Sequence, residues 1–490
     1  MAAVDLSDLL LHGTVALDVV GLLVRLAAVV VIPPGRRPTS AMAWLLAIFF
    51  VPYVGIVAFL LIGNPKLPKH RRRKQREVNR MILERTAGMD AVPDEDPGPP
   101  WLASVVRLNR NLGAMPVVTG NAAELIEDYD ASLAAMTAAV EGAREYVHCE
   151  FYIVASDATT APFFAALEAA RARGVTVRVL FDHIGSLRSP GYRRTLRHLR
   201  RIGVAWRPML PVQPLRGRYQ RPDLRNHRKL LVVDGDVAFL GSQNLIDRSY
   251  NKRANRRRGL RWQELMVRLE GPIVGGVNAV FITDWYSETD EALDGEIAAV
   301  DPSHAPTTLE CQIVPSGPGF DEENNLKLFN TLIYSAQRRI SITSPYFVPD
   351  ESLIAAVTTA AERGIDVELF VSEIGDQPVV FHAQRSYYDA LLRAGVKIRL
   401  YPAPYILHAK HLTIDDDVAV IGSSNMDMRS FGLNMEASLL VSGREFVARM
   451  RQVEDRYRAL SRELTLEEHR ARAWPGKVVD NLARLTSALQ

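Results

Sequence analysis

Two cysteines are few for a chain of 490 residues, and neither a CxxC pair nor a Cys/His cluster occurs anywhere. That scarcity excludes a zinc-finger type of metal site and a disulfide-stapled secreted scaffold. Cys149 and Cys311 both lie in apolar, strand-like surroundings and are expected as buried structural thiols in a reducing compartment. Charge of one sign is also missing. Against 59 Lys and Arg stand 56 Asp and Glu, and the net charge of +3 lends no support to nucleic acid as a partner. No Gly-x4-Gly-Lys-Ser/Thr loop is present to cradle a nucleotide phosphate. The first residues, MAAVDLSDLLLHG, lack the basic start of a cleavable signal and carry two aspartates.

Charge is absent altogether from Ala41 to Ile62, a run of 22 residues. As one helix it would be about 33 Å long, enough for a hydrocarbon core of about 30 Å, with Pro52 as a kink. The run therefore predicts a membrane span. An earlier stretch, Val15–Ile32, holds Asp18 and Arg25, which cost about 2.5–3.5 kcal/mol each at a helix centre. They lie seven apart, on one helical face, and can point toward the second helix. Residues 1–64 are thus expected to be an N-terminal membrane region with two transmembrane helices, a hairpin turning at PPGRRPTS. The basic run KLPKHRRRKQR (Lys66–Arg76) follows, whereas the turn carries only Arg36 and Arg37. By the positive-inside rule, everything after residue 64 is expected in the cytoplasm, as the larger part of a multi-pass protein of the cell membrane. Residues 65–115 read as a basic juxtamembrane segment and linker, with AVPDEDPGPP (Ala91–Pro100) at its Pro-rich end. Such a segment attracts an anionic membrane surface by about 1 kcal/mol per basic residue.

Beyond the linker the chain repeats itself. EYVHCEFYIV is answered by RISITSPYFV, ALEAARARGVTVRVLFD by AVTTAAERGIDVELFVS, and RRIGVAWRP by LRAGVKIRLYP. Within each half, β-rich runs such as Val175–Phe181 alternate with helical stretches such as Ala161–Arg173. The fold class is α/β: two α/β/α halves around a mostly parallel sheet, over residues 116–300 and 301–490, the second ending in C-terminal helices. Two like halves pack about a pseudo-two-fold axis, which brings equivalent segments face to face.

The most exact repetition carries chemistry. NHRKLLVVDGDVAFLGSQN at 226–244 returns as LHAKHLTIDDDVAVIGSSN at 407–425, with His227 and His408 181 residues apart. Asp234-Gly235 reads as a two-residue hairpin turn, which would set His227 opposite Ser242 and, in the second copy, His408 opposite Ser423. His227 and Lys229 are two apart and share a sheet face, as do His408 and Lys410. Asp234 lies an odd interval from its His, at the turn, which suits a structural or relayed contact. His411 should face away from His408, which argues against a His-x-x-His metal pair. Each half thus offers an imidazole, an ammonium, a hydroxyl and an amide. An imidazole can attack phosphorus or donate a proton near neutral pH, while lysine and polar donors hold phosphate oxygens. Two copies face to face put one His on either side of a phosphodiester, as in-line displacement through a phosphohistidine requires.

His-x-Lys-x4-Asp-x6-Gly-Ser-x-Asn, present twice, resembles the phospholipase D superfamily. The resemblance implies a catalytic set of His227, Lys229, Asp234, His408, Lys410 and Asp415, with Ser242, Asn244, Ser423 and Asn425 on the substrate phosphate. It also implies a His-orienting carboxylate on a later strand, matched by Glu264 and Glu436. Those lie 37 and 28 residues after the His of their own copy, and the longer interval contains the basic insertion RSYNKRANRRRGLR. The N-terminal apolar region together with SGPGF (316–320), SPYFVPDESL (344–353) and NMDMRS (425–430) is similar to bacterial cardiolipin synthases. That likeness implies phosphatidyl transfer between two phosphatidylglycerol molecules to give cardiolipin and glycerol, with neither cofactor nor metal, and it favours His227 as nucleophile. A hydrolytic phospholipase D, a phosphatidyltransferase using another alcohol, and a non-catalytic membrane scaffold are the rival readings. The last predicts an eroded motif copy, and both copies are intact.

Overall fold

Val175–Phe181 and its counterparts form strands, and the alanine-rich stretches before them form helices, as β-branched and alanine content dictate. The computed structural model describes residues 6–89, 98–213, 215, 218–293 and 309–487, with side chains from Val15 onward. The chain divides into two compact units, Met1–Lys66 with Arg221–Asp223, and Leu67–Gln220 with Leu224–Gln490. The Ala91–Pro100 linker falls largely outside the described residues, as does the boundary expected at residue 300.

In the larger unit the first half supplies β1 (Val118–Ile126), β2 (Tyr146–Phe151), β3 (Thr176–Asp182), β4 (Ala205–Met209), β5 (Lys229–Val233), β6 (Val237–Gly241) and β7 (Met266–Glu270). The second supplies β8 (Leu309–Ser316), β9 (Arg339–Thr343), β10 (Asp366–Ser372), β11 (Lys397–Tyr401), β12 (His411–Ile414), β13 (Val418–Gly422), β14 (Asn434–Ser442) and β15 (Arg462–Leu464). All belong to one sheet. From its centre the first half runs β1-β7-β6-β5-β2-β3-β4 and the second runs β8-β14-β13-β12-β9-β10-β11, with β15 added at that edge. The halves join where β1 pairs antiparallel with β8, through Val118↔Cys311 and Asn121↔Leu309. Equivalent strands therefore sit at equivalent distances from the junction, the arrangement a two-fold axis through it requires.

The sheet is mixed, which corrects the expectation of a mostly parallel one. Along this strand order, parallel pairing is confined to β2-β3-β4 and β9-β10-β11, with crossover helices such as Ala161–Ala172 and Glu351–Glu362 between their strands. The strands between them and the junction follow one another through tight turns or simple returns, and those connections demand antiparallel neighbours. One hydrophobic cluster runs across the junction, from Leu240 and Val267 through Ile313 to Ala419 and Val441. Cys311 on β8 lies in this cluster and Cys149 on β2 in a separate one of the first half; both are free, buried thiols.

The smaller unit contains α1 (Leu6–Val31), α2 (Pro38–Phe50) and α3 (Pro52–Ile62). The continuous span expected over Ala41–Ile62 is not there. Helix α2 ends at Phe50, Val51 leaves the helical region at φ −136°, ψ 72°, and Pro52 opens α3. Proline does more than kink this helix. It has no N–H for the carbonyl four residues back, and it drives the residue before it out of the helical region. Among the described residues no helix is long and apolar enough to cross a membrane, so the expected transmembrane hairpin is not supported.

Candidate active site

Both motif copies form hairpins, but with three-residue turns. Leu230↔Leu240 and Val233↔Val237 pair around Asp234–Asp236, and Ile414↔Val418 pairs around Asp415–Asp417. The register is thus one residue away from that expected, and His227 does not sit opposite Ser242, nor His408 opposite Ser423. The turn aspartates account for this: Asp234 (φ 55°) and Asp415 (φ 50°) adopt left-handed backbone that a two-residue reading does not anticipate. Their carboxylates are fully engaged. Asp234 accepts backbone N–H bonds from Arg144, Glu145 and Tyr146, each 2.8 Å, and Asp415 accepts from Gln337, Arg338 and Arg339 at 3.0, 2.7 and 3.0 Å. Each clamps its turn to the start of the neighbouring strand. At about 3.3 Å per residue they stand roughly 20 Å along the chain from their histidines. In this position the Asp234 and Asp415 carboxylates hold the hairpin frame, and their backbone hydrogen bonds are to the neighbouring strand rather than to a histidine.

The histidines lie just outside the hairpin ladders, where short segments of opposite halves pair. Arg225–Asn226 runs parallel to Asn434–Met435, and Tyr405–Leu407 runs parallel to Arg261–Gln263. The N–H of His227 then donates to Met435 O at 2.8 Å, and that of His408 to Gln263 O at 2.7 Å. In each case the next residue of the partner segment is the glutamate. His227 Nδ1 therefore meets Glu436 at 3.0 and 3.1 Å, and His408 Nδ1 meets Glu264 at 2.9 and 2.8 Å. The carboxylates are exchanged: each imidazole is oriented by the other half. With Nδ1–H directed at a carboxylate, each ring presents the lone pair of Nε2 outward.

The lysines lie buried beneath, Lys229 Nζ donating to His227 O and Lys410 Nζ to His408 O. Ser423 Oγ donates to Glu436 at 2.6 Å and accepts from the Ala437 N–H at 3.0 Å, while Ser242 Oγ accepts from the Leu265 N–H at 2.9 Å. Asn244 accepts from the Ile153 N–H at 3.0 Å and donates to Tyr250 Oη at 2.9 Å. The Asn425 Oδ1 is buried with no hydrogen-bond partner. His411 points away, toward Thr343 and Glu454, as its odd spacing predicts.

Burial sets the electrostatics. It pulls the imidazoles of His227 and His408 down to about 4 against the opposing pull of their glutamates, so both are neutral near pH 7. Burial likewise pulls Lys229 down to about 7 and Lys410 to about 8, again opposed by the glutamates. Burial alone would raise Glu264 and Glu436, but the facing imidazoles, the lysines and the serine hydroxyls outweigh it and hold both below the usual range. Two glutamates and two lysines, with both imidazoles neutral, leave the site with little net charge.

Residues 136–285 and 329–457 match the family model described as cardiolipin synthase, PLD-like domain, one segment for each motif copy. A cardiolipin synthase A of Proteus mirabilis (strain HI4320) is 33% identical over 470 residues, covering 93% of this chain and 94% of its own. The chain belongs to the cardiolipin synthase family. Residues 22–64 match a second model, phospholipase D-nuclease N-terminal. The cardiolipin synthase A of Yersinia pseudotuberculosis serotype O:1b (strain IP 31758) is 33% identical over 93% of each chain. Among solved structures, phosphatidylserine synthase of Haemophilus influenzae Rd KW20 superposes with a TM-score of 0.60 at 14% identity, over 78% of this chain and 99% of its own. That likeness is one of fold.

Sequence reasoning missed several groups around this cardiolipin synthase family site. Tyr152 stands edge-on to His227 at 5.1 Å and Tyr346 edge-on to His408 at 6.3 Å. Their signal was present, since both occupy the same place in the aligned EYVHCEFYIV and RISITSPYFV stretches. Tyr250, from the basic insertion, adds a second ring at 6.4 Å from His408 and donates to Glu264 at 3.3 Å. Arg228, between His227 and Lys229, is almost wholly buried; its Nε donates to Glu436 O at 3.0 Å and its fork pairs with Asp284. Beside that pair Glu150 is pushed well above its ordinary value by burial and the Asp284 carboxylate. No periodicity announces a buried arginine whose partners lie in other strands and helices.

Proposed function

We propose that this site moves a phosphatidyl group from one phosphatidylglycerol to a hydroxyl of a second, releasing glycerol and forming cardiolipin. The observation that carries the reading is the reciprocal pairing of His227 with Glu436 and His408 with Glu264. It yields two imidazoles with matched tautomers, one available to attack and one to exchange a proton with the leaving or entering alcohol. In the first step His227 Nε2 forms a bond to phosphorus as the glycerol oxygen leaves and takes a proton from His408 Nε2. In the second, His408 removes the proton of the acceptor hydroxyl, whose oxygen displaces His227. One phosphodiester is broken and one formed, so no nucleotide energy is consumed. The attacking ring must start neutral, as burial makes it. The other needs a proton, and an arriving phosphodiester anion favours that protonation. Lys229 and Lys410 would hold the phosphate oxygens, with the amides of Asn244 and Asn425 beside them.

The substrates are lipids, and the N-terminal unit supports membrane association. Val30, Phe50, Val54 and Leu60 are 73%, 81%, 67% and 75% exposed, a surface that water does not favour. The basic run Lys66–Arg76 supports a cytoplasmic catalytic domain against an anionic leaflet. Purified protein given vesicles of phosphatidylglycerol alone should form cardiolipin and glycerol one for one, and excess glycerol should reverse the reaction. Phosphatidic acid as main product would make it a hydrolase. Cardiolipin formed only when a second phospholipid class is supplied would overturn the acceptor assignment and leave the histidine chemistry standing.

A further inference from the structure

We infer that α2 and α3 form a re-entrant wedge that enters and leaves the lipid bilayer through the same face. The break at Val51–Pro52 folds the two helices back on each other. A Cβ on Gly55 would lie 2.8 Å from the Ala47 carbonyl oxygen, so only glycine lets α3 close against α2 here. Further from the break, Trp44 meets Phe59 edge-on at 5.4 Å. At the open end the Arg36 guanidinium lies 4.8 Å from the centre of the Phe59 ring and donates to the carbonyl of Gly63, just beyond α3. The chain has therefore returned to the level at which it began.

Length agrees. Helices of 13 and 11 residues are about 20 and 17 Å long, short of a hydrocarbon core of about 30 Å. The tip is apolar, with Phe50 and Val54 flanking the break and strongly exposed. Backbone at that depth needs partners, and α1 supplies one: Arg25 Nε donates at 3.1 Å to the carbonyl of Phe49, among those the end of α2 leaves without a helical donor. This gives the one cation of the apolar stretch after Asp18 in α1 a partner. Charge sorts the same way. Neither α2 nor α3 contains a charged residue, whereas Arg36 and Arg37 at the entrance and Lys66 at the exit all gather at the open end. The wedge thus puts every flanking cation against one leaflet, where a span would divide them between two.

The inference takes membrane association from the reading above, and its test separates the two. Single-cysteine variants P34C, F50C and K66C would be made in the full chain, whose own Cys149 and Cys311 are buried, and treated with a membrane-impermeant maleimide in sealed vesicles of each orientation. P34C and K66C should be labelled from one and the same side, and F50C only after detergent. Labelling of P34C and K66C from opposite sides would overturn the wedge, as would P34C silent from both sides or F50C labelled in intact vesicles from either. Cardiolipin synthesis retained by all three variants would show that such a failure belongs to the topology and leaves the catalytic reading untouched.

Discussion

The two histidine centres share one plan and differ in what surrounds it. His227 has Arg228 at its back, an arginine that ties the Glu436 backbone to Asp284, while the equivalent neighbour of His408 is Ala409. His408 is enclosed by Tyr250 and Tyr346, whereas His227 faces Tyr152. Its side chain is correspondingly less exposed, 6% against 12%. The common parts are those that orient an imidazole, and the divergent parts govern access and rigidity. Duplication delivers two like imidazoles in unlike surroundings, and the mechanism proposed above gives them separate tasks. That proposal puts attack on phosphorus at the more open His227 and proton exchange at the more enclosed His408.

The largest effect expected is equal on both sides. His227→Ala and His408→Ala should each lower cardiolipin formation from phosphatidylglycerol vesicles by at least about 10⁴-fold, since the proposed mechanism uses both in each of its two steps. Substantial activity in either variant would break the shared site. Next come Glu436→Gln and Glu264→Gln, which keep shape but spoil tautomer control, with losses on the order of 10³-fold in kcat.

Arg228 should then separate the halves. Arg228→Met strands the buried Asp284 beside Glu150 and should destabilise the protein by about 3–5 kcal/mol in denaturant unfolding. Adding Asp284→Leu should recover most of that loss, and Ala409 offers no counterpart to lose. Smaller is the effect of pH. Burial lowers Lys229 to about 7 and Lys410 to about 8, so the ammoniums that hold phosphate are present below those values and lost above them. The kcat/KM for phosphatidylglycerol should fall as pH rises through that window. The limb in kcat should lie higher, because bound phosphate favours the charged lysines. The smallest effect is that of Tyr250→Phe, which makes the first half resemble the second, where Phe431 aligns. It removes the hydroxyl shared by Glu264 and Asn244 and should lower activity by about five- to a hundredfold, at about 0.5–1.5 kcal/mol for each of the two hydrogen bonds.

What was legible follows the range of the interactions. The strands around Val179 and Val367, their preceding helices and the His/Lys pairs are encoded in short segments, and the repeat doubles each signal. The buried thiols and the outward face of His411 follow from local apolar pattern and parity. The turn was misread by one residue because Asp234 and Asp415 accept left-handed backbone, rewarded by three N–H bonds that come from distant strands. The exchange of Glu264 and Glu436 was hidden because it depends on parallel pairing between segments that lie 144 and 209 residues apart at the His–Glu contact. The helix break at Val51 is half visible: Pro52 marks it in the sequence, whereas the closure that Gly55 permits depends on its approach to Ala47 and Ile48 in the folded chain.

The central claim, that each histidine is governed by the glutamate of the other half, can be tested in one single-turnover measurement. The substrate is a phosphatidylglycerol analogue with a nitrophenol leaving group, which needs no acid for departure, and the signal is the nitrophenol burst. The account predicts that the burst survives in His408→Ala and Glu264→Gln and is lost together in His227→Ala and Glu436→Gln. Were His408 the nucleophile, both pairs would reverse, but they would stay together. A burst that groups Glu264→Gln with His227→Ala, and Glu436→Gln with His408→Ala, would contradict the exchange.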